Sequence, residues 1–385
     1  MYERALAQTI SGGRKSILLL GPRQVGKSVL LSSLRPDLTI NLASPESFRE
    51  YAAHPERLER ELRAARTGVR TVFLDEVQRV PALLDAVQVI CDEMPGRFRF
   101  LLSGSSARKL RRGQANLLPG RVNVHYLHPL LACELGEDFD LDRVLSHGSL
   151  PGIYSEANPS QRAADLRSYA DTYLREEIQA EALVRQIGTY ARLLELMAAS
   201  SGRVLNLNAL CGDAGVRYET ARRYVEILED TLVAFRAPAW SGSALAGLVA
   251  HPKIFLFDLG VRNAILRRPL DRPLEDERGL LLEHLVAYEI YRRAGSLWPD
   301  IRLCHYRSRA GAEVDFVVEI GRDLWAVEVK ASSDTSRVQT HGFESLANHA
   351  KNLRRKIVVF LGCRRQIMDD VEILPMETFL EELPC

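Results

Sequence analysis

The residues Gly21-Pro22-Arg23-Gln24-Val25-Gly26-Lys27-Ser28 have the spacing Gly-x-x-x-x-Gly-Lys-Ser. That spacing suits phosphate binding. The two glycines let main-chain N–H groups turn inward around phosphate oxygens, and the positive end of a following helix adds to the field. Lys27 is then placed to reach β- and γ-phosphates, and the Ser28 hydroxyl to ligate Mg²⁺. The apolar run Ile17-Leu18-Leu19-Leu20 before the loop reads as a buried strand, and Val29-Leu30-Leu31 after it as the start of a helix. Strand, loop and helix in this order predict a nucleoside triphosphate site, with ATP and Mg²⁺ as cofactors.

A second run, Thr71-Val72-Phe73-Leu74, ends in Asp75-Glu76. A carboxylate at the C-terminal end of a buried parallel strand lies where α/β folds collect ligands. Asp75 is expected to hold Mg²⁺, and Glu76 to orient and deprotonate the attacking water. A third strand, Phe98-Arg99-Phe100-Leu101-Leu102, ends in Ser103-Gly104-Ser105-Ser106. There Ser103 is either a γ-phosphate sensor or part of a helix-capping turn. Gly120-Arg121 follows the basic stretch Arg108-Lys109-Leu110-Arg111-Arg112. A guanidinium at Arg121 that neutralised transition-state charge would contribute about 10³–10⁵ in rate. The sequence leaves open whether it serves its own nucleotide, a neighbour's, or only meets solvent.

These groups need a scaffold, and the chain is long enough for several domains: 385 residues exceed one ordinary core. Hydrophobic content of 46% with 26% charged residues describes a globular chain. The net charge of +1 excludes a dominant basic surface, so nucleic-acid contact has to come from local patches. The six cysteines (91, 133, 211, 304, 363 and 385) form no Cys-x-x-Cys pair, which argues for reduced thiols, a cytoplasmic setting and no structural zinc. His125 and His128 read as structural. No stretch approaches 18 uninterrupted apolar residues, so no membrane partner is expected.

Strand and helix alternate over residues 1–135, as in a parallel P-loop NTPase sheet. Strands are predicted at Thr39–Leu42 and Val122–Tyr126, and helices at Pro55–Ala65 and Pro81–Met94. Residues 136–203 read as a helical connector or lid starting near Asn158-Pro159-Ser160. Residues 204–250 have a short helix carrying Leu205, Leu207 and Leu210, the turn Gly212-Asp213-Ala214-Gly215, a helix from Tyr218 to about Asp230, and a strand Leu232–Phe235. That order matches a winged helix-turn-helix. Arg217, Thr220, Arg222 and Arg223 would then face a DNA groove, or form the solvated face of a packing module.

Residues 251–385 hold a second constellation. Glu283 lies on a helix predicted from Gly279 to Arg293. Asp315 opens the strand Phe316–Ile320, and the next strand, Leu324–Lys330, carries Glu328 and Lys330 on one face, because residues two apart share a side. A hairpin brings Asp315 beside Glu328. Acids and a lysine so arranged suit a divalent-metal nuclease site: Asp315 and Glu328 hold Mg²⁺, and Lys330 positions the attacking water. The same residues equally suit a nuclease-like fold that keeps Glu328 and Lys330 as an ion pair. Arg302, Arg307, Arg309, Arg354, Arg355 and Lys356 are candidates to track a phosphate backbone.

Taken together, the phosphate loop with its Pro-Arg-Gln insertion, Asp75-Glu76-Val77-Gln78, Ser103-Gly104-Ser105-Ser106 and Gly120-Arg121 resemble one family. Gly148-Ser149-Leu150-Pro151, Asp258-Leu259-Gly260, Glu313-Val314-Asp315-Phe316 and Glu328-Val329-Lys330 extend the resemblance along nearly the whole chain. The family is the AAA-type ATPases, AAA+ or STAND-like, fused to a winged helix and a C-terminal domain of unknown function with a PD-(D/E)xK restriction-endonuclease-like fold. The resemblance implies an α/β chain that binds and hydrolyses ATP. Its nucleotide state would control a DNA-binding and DNA-cleaving C-terminal half, or drive a nucleotide-dependent homo-oligomer whose nuclease-like domain is inactive. The Leu118-Pro119 pair before Gly120-Arg121 departs from the family pattern and could re-aim Arg121.

Overall fold

Five short runs between residues 16 and 126 pair side by side in parallel; the three central ones are buried on both faces, which favours parallel strands covered by helices, and the two edge runs are partly exposed. The computed structural model describes residues 2–105, 118–174, 187–240, 251–270, 274–294, 297–298, 300–334 and 340–385. Ser106 and the basic stretch Arg108–Arg112 lie outside these residues. Contacts divide the chain into two units, residues 1–128 with 227–233 and residues 129–226 with 234–385.

In the first unit, α1 (Leu6–Ser11) precedes β1 (Ser16–Leu20) and α2 (Lys27–Ser33). They are followed by β2 (Leu38–Asn41), α3 (Pro45–Ala53), α4 (Glu56–Ala64), β3 (Thr71–Asp75), α5 (Leu83–Glu93), β4 (Arg99–Gly104) and β5 (Val122–Tyr126). The parallel sheet has the order β2-β3-β4-β1-β5. Leu20 pairs in register with Gly104 and Tyr126, and Asn41 with Asp75. The ends of β1, β3 and β4 therefore lie along one sheet edge. Leu18, Leu20, Val72, Leu74, Phe100 and Leu102 make the core with Leu58, Leu62, Leu83 and Ile90 of the helices.

The second unit begins with α6 (Ala132–Leu135), α7 (Leu141–His147), α8 (Pro151–Ser155), α9 (Pro159–Ser168) and a π-helical turn at Tyr169–Leu174. Then come α10 (Ile187–Ala199), α11 (Leu207–Ala214), α12 (Tyr218–Asp230), and the antiparallel pair β6 (Ala234–Ala237) and β7 (Lys253–Leu256). The short helix starts at Leu207, not Leu205, because the Asn206 side chain caps it by accepting the Ala209 N–H at 3.1 Å. Its αL terminus is Gly215, φ 66°.

The rest is α13 (Leu259–Ile265), α14 (Arg278–Arg293), β8 (Ile301–Arg307), β9 (Glu313–Ile320), β10 (Asp323–Lys330), α15 (His341–Ala347), β11 (Leu353–Phe360), β12 (Gln366–Met368), β13 (Val371–Pro375) and α16 (Met376–Glu382). The six-stranded sheet has the order β12-β13-β11-β10-β9-β8, with β8, β9 and β10 antiparallel and β10-β11-β13 parallel. Its core includes Trp240, Tyr306, Val317, Ala326, Phe343, Val358 and Ile373.

Two motifs far apart in sequence explain each other here. Asp258, fully buried, caps α13 by accepting the Val261 N–H at 3.1 Å and also accepts the Ser149 N–H at 2.8 Å. A Cβ on Gly148 would lie 1.9 Å from an Asp258 carboxylate oxygen, so only glycine fits. The expectation of six reduced thiols is corrected. Cys133 and Cys385 form a disulfide with Cα atoms 6.2 Å apart, since packing of the C-terminal residues brings together two cysteines 252 positions apart.

Candidate functional site

The phosphate loop leaves the buried end of β1 at Gly21, where a Cβ would sit 2.1 Å from the Leu127 carbonyl oxygen. Gln24 (φ 63°) and Gly26 (φ 92°) turn the loop through left-handed conformations. Pro22 and Val25 are buried, Arg23 is half-buried and Gln24 is exposed. A residue the sequence did not single out braces the loop. Arg4 donates to the Val25 carbonyl and to the His128 carbonyl, both at 2.7 Å. The buried Lys27 ammonium donates to the carbonyls of Gly21 (3.0 Å) and Pro22 (2.8 Å), the first two residues of the loop.

Asp75 gathers the neighbouring polar groups. Its Oδ1 accepts the Ser28 hydroxyl at 2.8 Å and the Ser103 hydroxyl of β4. Ser103 Oγ in turn accepts the Glu76 N–H at 2.9 Å. A serine hydroxyl beside a carboxylate fits the oxygen donors that Mg²⁺ prefers, and such a site uses one or two carboxylates completed by phosphate oxygens. Glu76 itself has a left-handed backbone, φ 60°, and its carboxylate accepts the Gln78 amide, which also donates to Ser105 Oγ at 3.0 Å. Gln78 and Ser105 were legible only as parts of their motifs. Their roles depend on the parallel pairing of β3 with β4.

Arg121 does not join this group. It immediately precedes β5, whose Val122 pairs with Ser16, at the end of β1 opposite the loop. Five strand positions at about 3.3 Å each separate the two ends. Its guanidinium forks onto Asp92, with both contacts at 2.7 Å, and holds that carboxyl below the ordinary carboxylate range. Of the three alternatives the sequence leaves open, this placement speaks against service to the nucleotide of its own chain. Leu118, buried with φ 53°, sets the turn, and its carbonyl accepts the Arg121 and Val122 N–H groups.

In the second unit, β9 and β10 bring Asp315 beside Glu328 as the hairpin predicts. The Asp315 N–H donates to Glu328 Oε2 (3.3 Å), and the Val329 N–H to Asp315 Oδ2 (2.8 Å). Lys330 pairs with Glu328 Oε1 at 2.7 Å. The unforeseen member is Lys253 on β7. Its ammonium, 4% exposed, lies 2.7 Å from Glu283, 3.5 Å from Glu313 and 3.8 Å from Asp315. Burial and the nearby Asp315 carboxylate push Glu283 up to about 8, against the pull of Lys253. Burial likewise raises Asp315 and Glu328.

With these ammonium groups in place, no group of three or more His, Cys, Asp or Glu side chains among the described residues is arranged to hold a metal ion. Where the sequence reading expects Asp315 and Glu328 to face a metal, ammonium groups lie beside them instead, Lys253 at 3.8 Å from Asp315 and Lys330 at 2.7 Å from Glu328. The expected basic track is also mostly neutralised. Arg302 pairs with Glu319, Arg307 with Glu313, Arg354 with Asp323, Arg355 with Glu372 and Glu382, and Lys356 with Asp370.

Arg217, just before α12, and Arg222 and Arg223 on it are exposed and Thr220 is half-buried, while Ala221, Val225 and Leu228 are buried. Arg222 is shared between Glu219 (3.0 Å) and Glu226 (3.8 Å). No helix among the described residues is long and apolar enough to cross a membrane.

Comparison with known proteins agrees with the N-terminal geometry. Residues 13–136 match the family described as "AAA domain", residues 138–272 a "Domain of unknown function (DUF8612)", and residues 278–379 another domain of unknown function, DUF4143. An uncharacterized protein of Mycobacterium tuberculosis is 26% identical over 370 residues, covering 94% of this chain and 80% of its own. Among solved structures, RuvB of Thermotoga maritima aligns with a TM-score of 0.27 at 16% identity, over 60% of this chain and 87% of that one. The Pif1 helicase of Candida albicans aligns at 0.27 and 13%, over 44% of this chain and about half (48%) of the helicase. TM-scores this low do not establish a shared architecture.

Proposed function

We propose that this chain, whose residues 13–136 are an AAA-type P-loop ATPase domain, binds ATP with Mg²⁺, hydrolyses it, and passes its nucleotide state to a DNA-binding C-terminal half. The observation that carries the nucleotide reading is the meeting of the Ser28 and Ser103 hydroxyls on one Asp75 oxygen beside the Gly21–Ser28 loop. When bound, Mg²⁺ neutralises charge on the phosphates. Ser28 and Asp75 hold it, and Lys27 exchanges its loop carbonyls for phosphate oxygens. Glu76 orients and deprotonates water, with Gln78 fixing its carboxylate. Ser103 links Asp75 to the Glu76 backbone, which suits a sensor of the γ-phosphate. The DNA reading rests on α11, its glycine-containing turn, α12 and the β6–β7 pair in the order of a winged helix-turn-helix, with Arg217 and Arg223 exposed.

A second reading is favoured by the neutralised acidic cluster: a STAND-like switch that turns over slowly, forms nucleotide-dependent homo-oligomers and uses an inactive nuclease-like domain for assembly. Two measurements separate the readings. Steady-state ATPase activity that depends on Glu76, together with DNA retention lost on reversing the charge of Arg217 and Arg223, supports the first. Near-zero turnover with ATP-dependent sedimentation and unaltered DNA retention supports the second.

A further inference from the structure

We infer that Lys253 is the resident cation of the C-terminal carboxylate cluster and takes the position a divalent metal would need, so that this half of the protein works without metal-dependent phosphodiester cleavage. The inference deepens the second reading above. It rests on β7, β9, β10 and α14 alone and is independent of nucleotide binding.

Each oxygen of the two central acids faces an N–H donor or an ammonium. Asp315 gives Oδ2 to the Val329 N–H at 2.8 Å and faces Lys253 with Oδ1 at 3.8 Å. Glu328 gives Oε2 to the Asp315 N–H at 3.3 Å and Oε1 to Lys330 at 2.7 Å. Glu283 and Glu313 complete the surroundings of Lys253 at 2.7 and 3.5 Å, and the Phe316 ring lies 5.6 Å from its ammonium. Mg²⁺ demands near-octahedral oxygen ligands at about 2.0–2.1 Å, which these shared oxygens could supply only by releasing an ammonium held in the same space.

Lys253 is not a surface side chain that swings aside. Its residue pairs with Ala237 in the β6–β7 ladder and bridges to Val204. On either side, the Leu205 N–H donates to the Pro252 carbonyl (2.8 Å), the Gly202 N–H to the Ile254 carbonyl (2.7 Å) and the Ile254 N–H to the Arg203 carbonyl (3.2 Å). A lysine so anchored is a fixed part of the site. Removing it leaves three carboxylates facing one small space, which is the donor set a hard divalent cation prefers.

The test uses full-length protein without nucleotide and Mn²⁺ as the probe, titrated by electron paramagnetic resonance or calorimetry. The wild type and Asp315→Asn are expected to bind Mn²⁺ alike. Lys253→Ala is expected to gain one Mn²⁺ equivalent, at least about tenfold tighter than any wild-type binding, and the gain should vanish in Lys253→Ala/Asp315→Asn. Asp315-dependent Mn²⁺ binding by the wild type overturns the inference, as does Mn²⁺-dependent cleavage of DNA or RNA that Asp315→Asn abolishes. Neither of these arms requires a folded Lys253 variant. A Lys253→Ala protein that keeps its circular dichroism yet gains no Mn²⁺ site also overturns it. Loss of ATP binding elsewhere would bear on the ATPase proposal and leave this one standing.

Discussion

Glu283→Gln is expected to stabilise the protein at high pH and to have little effect near pH 5. Glu283 lies beside the Lys253 ammonium, yet burial and the Asp315 carboxylate outweigh that partner and push it up to about 8, from an ordinary 4.5. Between those two values the folded protein holds a proton that the unfolded chain releases. Stability therefore falls as pH rises from about 4.5 to about 8 and changes no further above it, because there both states are ionised. The gap, at about 1.4 kcal/mol per pH unit, sets a ceiling of about 5 kcal/mol on the contribution of this one group. Relaxation and water penetration reduce that figure, so about 1–3 kcal/mol is the expected size. Glutamine keeps an acceptor for Lys253 and cannot ionise, so it mimics the protonated acid at every pH. Urea denaturation of both proteins at pH 5, 6.5, 8 and 9 measures the difference directly. The variant should match the wild type at pH 5 and exceed it progressively up to pH 8. A variant less stable than the wild type at pH 8–9 would mean that the ionised pair with Lys253 is net favourable, and the reasoning would be refuted.

Other consequences follow from the same geometry. Glu76→Gln should retain ATP binding and lose about 10²–10⁴ of turnover, measured as phosphate release, because the general base is gone while the cradle remains. Arg121→Ala should leave the turnover of the isolated chain within about twofold, since its guanidinium lies on Asp92 at the far sheet end; a loss of about 10³ would restore the finger role. Alkylation without reductant, followed by mass spectrometry, should label Cys363 readily and leave Cys133 and Cys385 unlabelled.

The parallel sheet and its loop were legible because their signals are local. β1 is a continuous apolar run, and Gly21, Gly26, Lys27 and Ser28 sit at fixed offsets from its end. The β9–β10 hairpin was equally legible, since alternation puts Glu328 and Lys330 on one face and the short turn at Gly321 sets the register opposite Asp315. Lys253 was not. The sole clue was a lysine heading the apolar strand Ile254–Leu256, and its partners come from a helix and a strand 30 or more residues further on. The place of Arg121 stayed open for a related reason: its motif fixes the turn, but only the pairing of Val122 with Ser16 shows which end of the sheet that turn occupies. The link between Cys133 and Cys385 depends on chain folding over 252 positions, for which spacing carries no signal.

The most direct test of the nucleotide site is calorimetric titration of the intact chain with ATP and Mg²⁺, with Lys27→Ala alongside. Saturable binding by the wild type, weakened at least about 100-fold in the variant, is the predicted result. No heat of association, or equal binding by both proteins, would contradict it.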